Sequence, residues 1–253
     1  MEQLNRNLNS SANLNVLETQ GLGIDFGGLT ALNALDFFVK ENEICGLIGP
    51  NGAGKTTLFN LLTNIYKPSR GSISFLGQDT TKLIPHQLHH RGMGRTFQNI
   101  RLFHRLSVLE NILVAMRPSP KDQRMEAYEI LRFFKLDSQA EHIAGNLSYG
   151  SQRKLEIARA LAGRPKLVLL DEPAAGMNPV ETKVLSQQIA QIRDRFQVSV
   201  LLIEHDMKLV MEICDVIWVL NFGQFIAKGT PFEIAANQQV IEAYLGRKES
   251  VRC

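Results

Sequence analysis

Cysteine and tryptophan are scarce in the 253-residue sequence, and its charge is almost balanced. The three cysteines, Cys45, Cys214 and Cys253, are odd in number, widely spaced and form no CxxC pair. That argues against a disulfide framework or a cysteine zinc site and fits a reducing compartment. The 28 lysines and arginines stand against 25 aspartates and glutamates, a net charge of only +3. Dedicated nucleic-acid binders concentrate far more positive charge, so that class finds no support. Long hydrophobic runs are also missing. Stretches such as Val198–Ile203 and Val216–Leu220 fall far short of the ~20 residues a membrane helix needs. The opening Met1-Glu-Gln-Leu-Asn-Arg-Asn7 lacks the apolar core of a secretory signal. The expectation is a soluble, cytosolic protein unless a partner holds it at a membrane.

What is present is an ordinary globular composition, with 44% apolar and 21% charged residues. Residues 1–15, rich in Asn and Ser, read as a flexible leader. Residues 16–253 read as one domain. Glu18 to Val39 alternates apolar and polar residues around Gly27-Gly28, the pattern of a small antiparallel sheet. Ile44–Ile48 is a short apolar run ending at Gly49, the signature of a buried strand. A helix over Thr56–Thr63 and a strand over Gly71–Leu76 follow. From about residue 99 to 163 the spacing turns helical, as in Leu109–Leu113 and Ala127–Leu136, with a break at Pro118–Pro120. Two more apolar strands, Leu167–Leu170 and Val198–Ile203, are each followed by acidic residues or histidine and then a helix. Asp215–Leu245 reads as a strand pair and a closing helix. The fold class is therefore α/β: a mainly parallel sheet, an N-terminal antiparallel β subdomain and an inserted helical subdomain.

The sharpest motif is Gly49-Pro50-Asn51-Gly52-Ala53-Gly54-Lys55-Thr56, which fits the phosphate-binding pattern GxxxxGK[ST] between a strand and a helix. Its glycines let backbone N–H groups turn in around phosphate oxygens, and the helix N-terminus adds partial positive charge. Lys55 can reach the β- and γ-phosphates, and the Thr56 hydroxyl can ligate Mg²⁺. Thr57 follows within the same first turn. Asp171-Glu172 ends the strand Leu167–Leu170, at the edge where open α/β sheets bind ligands. There Asp171 is placed to hold Mg²⁺ through water, and Glu172 to act as general base. Leu147-Ser148-Tyr149-Gly150-Ser151 precedes a helix over Arg153–Ala162, with Ser148 a good N-cap.

Together with a lone Gln98 and with His205, these motifs occur in the order found in the nucleotide-binding domains of ABC transporters. Over about residues 16–246 the chain resembles that family. It is most similar to the ATP-binding subunits of branched-chain amino-acid importers. Phe26-Gly-Gly-Leu29, Arg95–Phe103, Asp171-Glu-Pro-Ala-Ala-Gly176, Ile203–Val210 and Ala243-Tyr-Leu-Gly246 carry the finer likeness. The resemblance implies a P-loop NTPase fold with a RecA-like core, and ATP and Mg²⁺ at the site. It implies that Phe26 stacks on adenine, that Gln98 meets Mg²⁺ or the attacking water, and that His205 bonds the γ-phosphate. Ser148 and Gly150 would close the ATP of a second subunit. Tyr149 and Ser151 depart from the family's Gly-Gly-Gln, and Asn178 stands where the loop after Glu172 usually ends in an acid.

The implied partners are a second ATP-binding subunit, paralogous or identical, two transmembrane permease subunits and, indirectly, a solute-binding protein. No nucleic acid is implied. The implied location is the cytoplasmic face of the membrane, with residues 98–109 as the permease contact. Urea, amides or polar amino acids remain alternative solutes. A soluble, non-transport ABC ATPase is the alternative class, although the chain has neither a heptad run nor a second cassette. The short Ala115–Lys121 link replaces extra residues of close family members. His86, His89 and His90 share a helical face and read as surface rather than metal ligands. Cys45 reads as a small buried hydrophobe.

Overall fold

The computed structural model describes residues 14–118 and 122–245. Most of the expected leader, the end of the proline link, Gly246 and Cys253 lie outside those residues. Asn15 already belongs to the first strand, paired with Lys40, so the sheet begins before the boundary drawn at residue 15.

Two sheets make up the architecture. The first is antiparallel and has four strands in the order β2-β1-β4-β5: β1 (Asn15–Phe26), β2 (Leu29–Lys40), β4 (Arg70–Phe75) and β5 (Gln78–Asp79). The second runs β10-β9-β3-β8-β7-β6. It comprises β3 (Ile44–Ile48), β6 (Met93–Arg95), β7 (Leu167–Asp171), β8 (Ser199–Ile203), β9 (Val216–Asn221) and β10 (Gln224–Gly229). Its strands are parallel except β10, which pairs antiparallel with β9.

The apolar runs in the sequence follow from burial on both faces of this second sheet. Successive side chains of a strand point to opposite faces. Ile44, Ile48, Val168, Leu170, Val200, Leu202, Ile217 and Val219 enter one core with the helices. Cys45, Leu47, Leu167, Leu169, Leu201, Ile203, Trp218 and Leu220 enter another with the antiparallel sheet and α1 (Lys55–Leu62). Cys45 and Cys214 are buried and free, and burial pushes the Cys214 thiol up to about 12.

Helices α3 (Val108–Leu113), α4 (Gln123–Phe133) and α5 (Tyr149–Ala162) form the inserted helical region. Ser107 and Glu110 cap α3 reciprocally, and Asp122 caps α4, so local sequence sets both starts. The first of these helices is preceded by α2 (Pro85–Arg91), which carries the three histidines. Beyond β7 come α6 (Pro179–Phe196), α7 (Met207–Ile213), α8 (Pro231–Ala235) and α9 (Gln238–Leu245). The single closing helix expected from sequence is therefore two helices. A Thr230–Glu233 capping box opens α8, and Asn237 separates it from α9 by accepting from the Gln239 and Val240 N–H groups.

Phe134, at the end of α4, shares one apolar cluster with Val168 and Val200 of the central sheet. Phe134→Ala is expected to cost about 3–5 kcal/mol. Near- and far-ultraviolet signals should then fall together in one urea transition at a lower midpoint. Separate transitions would show that the helical region has its own core.

Candidate functional site

Because β3, β6, β7 and β8 are parallel, their carboxyl ends fall on one edge of the sheet. The loop after β3 turns into α1 through Gly49, Gly52 and Gly54, all with positive φ. Gly49 admits no side chain: a Cβ there would lie 2.0 Å from the Leu220 carbonyl oxygen. Gly54 stands at the N-cap of α1, so no side chain caps that helix, and no acid lies in its first turn. Such an end leaves its first N–H groups for an anion. Lys55 Nζ donates to the carbonyls of Gly49 and Pro50, at 2.7 and 3.0 Å. Burial pushes its ammonium below the ordinary value, while Glu172 and Asp171 pull it back up.

Asp171 ends β7 and is almost wholly buried. Burial raises its carboxyl, opposed first by Arg95, whose Nη2 lies 3.5 Å away. Arg95 also donates to Thr63 Oγ1 at 2.6 Å, which ties the end of β6 to the end of α1. Glu172, the next residue, has φ +47, a left-handed conformation that costs a non-glycine residue about 1–3 kcal/mol. Its N–H donates to the Ile203 carbonyl at 3.0 Å. Gln98 Nε2 donates to Glu172 Oε2 at 3.1 Å, and His205 Nδ1 lies 3.7 Å from Oε1. The structure thus brings Gln98, Glu172 and His205 together on the edge that carries Lys55 and Asp171.

Glu204 holds the turn that presents His205. Its buried carboxylate accepts from the Ala174 N–H at 2.9 Å and the His205 N–H at 3.1 Å. It thereby stitches the loop after Glu172 to the end of β8. Burial raises its carboxyl, and these backbone donors oppose the rise.

Phe26 sits at the β1–β2 hairpin, 46% exposed, its ring edge-on to Tyr66 with centroids 5.5 Å apart. Leu32 of β2 packs against Gly54, which sets this hairpin beside the loop. Ser148 caps α5 through the Ser151 N–H and also donates to Ser151 Oγ. The helix starts at Tyr149, earlier than the sequence pattern suggests. Among the described residues, no hydrogen bond joins Ser148 or Gly150 to Lys55, Asp171, Glu172 or His205. Asn178 caps α6 in a capping box with Glu181.

Sequence reasoning assigned no role to Arg95, Arg153, Glu156 or Glu204. Each is charged yet buried or nearly so. For Glu156 and Glu204, which adjoin apolar residues, that placement was the available signal, whereas Arg95 and Arg153 stand beside polar or small residues and offered none.

An uncapped glycine loop, a buried aspartate and a glutamate–glutamine–histidine cluster on one sheet edge define an ATP-binding cassette. The family model for ABC transporters matches residues 32–175. A second model, for the branched-chain amino acid ATP-binding cassette transporter, matches residues 226–250. The high-affinity branched-chain amino acid transport ATP-binding protein BraF of Pseudomonas aeruginosa is 46% identical, over 91% of this chain and 98% of its own. The corresponding protein LivG of Escherichia coli is 45% identical over the same shares. The crystal structure of the ADP conformation of MJ1267, an ATP-binding cassette of an ABC transporter, superposes with a TM-score of 0.84. It is 30% identical and covers 92% of this chain and all of that one. The chain belongs to the ABC transporter family, in the group of branched-chain amino acid transport ATP-binding proteins. It is an ATPase subunit that binds ATP.

Replacing Arg95 by methionine leaves the Asp171 carboxylate buried and unpaired. The expected loss of stability is about 3 kcal/mol near neutral pH. Arg95 lowers the Asp171 pKa, so its contribution is present while Asp171 is charged and is lost as pH falls through that pKa. Urea midpoints of wild type and Arg95→Met should therefore converge on acidification. A gap independent of pH would mean that the Thr63 contact, not the charge pair, carries the effect.

Proposed function

We propose that this chain is the ATP-hydrolysing subunit of a membrane importer for branched-chain and other hydrophobic amino acids. The observation that carries the reading is the meeting of Gln98, Glu172 and His205 beside the uncapped loop of Lys55. Identity of 46% to BraF supports the solute class.

In this reading the backbone from Gly49 through Gly52, Ala53 and Gly54 to Thr57 cradles the phosphates, with Pro50 and Asn51 shaping the loop. Lys55 neutralises the β- and γ-phosphates, and Phe26, with Tyr66 beside it, offers an aromatic face to adenine. The oxygens of Thr56, Gln98 and Asp171 are hard donors suited to Mg²⁺. Bound there, Mg²⁺ would offset the charge of the phosphates. Glu172 takes the proton of the attacking water, and Gln98 and His205 hold that carboxylate and the water in line. The left-handed backbone at Glu172 fixes the base where the sheet ends, so its orientation is settled before substrate arrives.

Ser148 and Gly150, which make no hydrogen bond to this constellation among the described residues, would close the nucleotide of a second subunit, a paralogue or a second copy. ATP then lies between subunits, and hydrolysis lets them part. Residues 98–109 would pass that motion to two permease subunits, fed by a solute-binding protein. Among the described residues no helix is long and apolar enough to cross a membrane, which fits a subunit held at the cytoplasmic face by its permease.

Glu172→Gln should lower hydrolysis about 10²–10⁴-fold while ATP binding persists. Lys55→Ala should instead lose nucleotide affinity. An unchanged turnover in the first, or an unchanged affinity in the second, removes that residue from its role. The solute is tested by uptake of labelled leucine, isoleucine, valine, proline, glutamine and urea in cells carrying the native chain or Lys55→Ala. Selective loss of the aliphatic amino acids is expected. Loss confined to urea or glutamine would move the solute class, and no loss, with redundant importers deleted, would overturn the transport role.

A further inference from the structure

Arg153 lies on α5, one turn after Ser148, and its side chain is completely buried. Nη1 donates to the Phe97 carbonyl at 2.8 Å and to Glu156 Oε2 at 2.9 Å. Nη2 donates to the Gln98 carbonyl at 2.8 Å and to the Tyr149 hydroxyl oxygen at 3.2 Å. Glu156 Oε1 accepts from the N–H groups of Phe97, at 3.4 Å, and Arg101, at 3.1 Å. Two charged side chains of one helix therefore hold the segment 97–101 at both ends, and from its interior Gln98 reaches Glu172. Tyr149 supplies a third point: its ring lies against the 172–178 loop, where a Cβ on Gly176 would sit 3.1 Å away.

Stability alone does not account for this pair. Removing two charges from water costs about as much as their attraction returns, and apolar residues of similar volume often serve as well. Burial pushes the Glu156 carboxyl up, toward its neutral form. What an apolar pair cannot supply is direction: four backbone groups of 97–101 are met by four oriented hydrogen bonds. A planar guanidinium fork suits that task better than an ammonium.

We propose that Arg153 and Glu156 are positioning residues that lock the Gln98 segment to the N-terminal end of α5, so that Gln98 and Ser148 move as one body. The proposal rests on the reading that Gln98 serves the chain's own ATP and Ser148 that of the partner subunit. A shift of Gln98 toward or away from Glu172 is then delivered to the subunit interface through one helix, not through the intervening residues 99–147. Tyr149, at a position where the family pattern has glycine, ties the same body to the loop that follows Glu172.

The test compares ATP hydrolysis by the transporter assembly purified through a tag on the full-length chain. The variants are Gln98→Ala, the double variant Arg153→Met with Glu156→Leu, and all three substitutions together. The double variant should keep its affinity for a non-hydrolysable ATP analogue. Its kcat should fall about 10- to 100-fold with KM unchanged, the scale of a misplaced reacting group. In the Gln98→Ala background it should cause no further loss, because both changes break the same link. Native turnover in the double variant, or a loss that multiplies with that of Gln98→Ala, overturns the proposal. If Gln98→Ala itself hydrolyses at the native rate, the underlying role of Gln98 fails first, and the two failures are distinct. Should the double variant not fold, Arg153→Lys, which keeps the charge and loses the fork, is put through the same comparison with the same two outcomes.

Discussion

Burial of the central sheet on both faces is the constraint from which the rest follows. With apolar side chains of β3, β7, β8 and β9 committed alternately to two cores, no polar group can leave through a face. Chemistry is confined to the ends of strands. Parallel pairing then places the ends of β3, β6, β7 and β8 side by side, and the glycine loop, Asp171, Glu204 and the segment leading to Gln98 all begin there.

That edge collects carboxylates, and each is tolerated for a different reason. Asp171 faces Arg95, Glu204 is wrapped by backbone N–H groups, and Glu172 keeps partial contact with solvent next to Gln98 and His205. The result is a graded set: two carboxylates held rigidly inside and one partly open to solvent. The strain at Glu172 is offset by its bond to Ile203, the last residue of the strand that leads into Glu204. Glu172, His205 and the intervening loop are thereby referred to one piece of backbone.

Much of this was legible in the sequence wherever a local pattern sufficed. The apolar run Ile44–Ile48 coincides with β3, and Asp171 was recognisable as a strand end because four apolar residues precede it. The alternation on either side of Gly27-Gly28 became the β1–β2 hairpin. What was not legible depends on contacts remote in the chain. Arg95 meets Asp171 across 76 positions and Arg153 meets Phe97 across 56, and no periodicity encodes such pairs. The α5 start was misplaced because Tyr149, Gly150 and Ser151 are weak helix formers, and the Ser148 cap outweighs them. The two-residue β5 and three-residue β6 are too short to leave an alternation at all.

Those short strands also bear on how copies of the chain can meet. An open sheet edge is a template onto which another chain can add a strand, a route to runaway aggregation. Here β5 and β6, at two of the four edges, offer little ladder to extend. The long edge strand β2 carries a left-handed Ala34, and its pairing with β1 slips register several times. Irregular edges of this kind resist templating. In the proposed reading, in which the chain joins and leaves a second subunit, such edges steer it toward reversible meetings of loops and helix ends, and away from the backbone-to-backbone growth that would trap it.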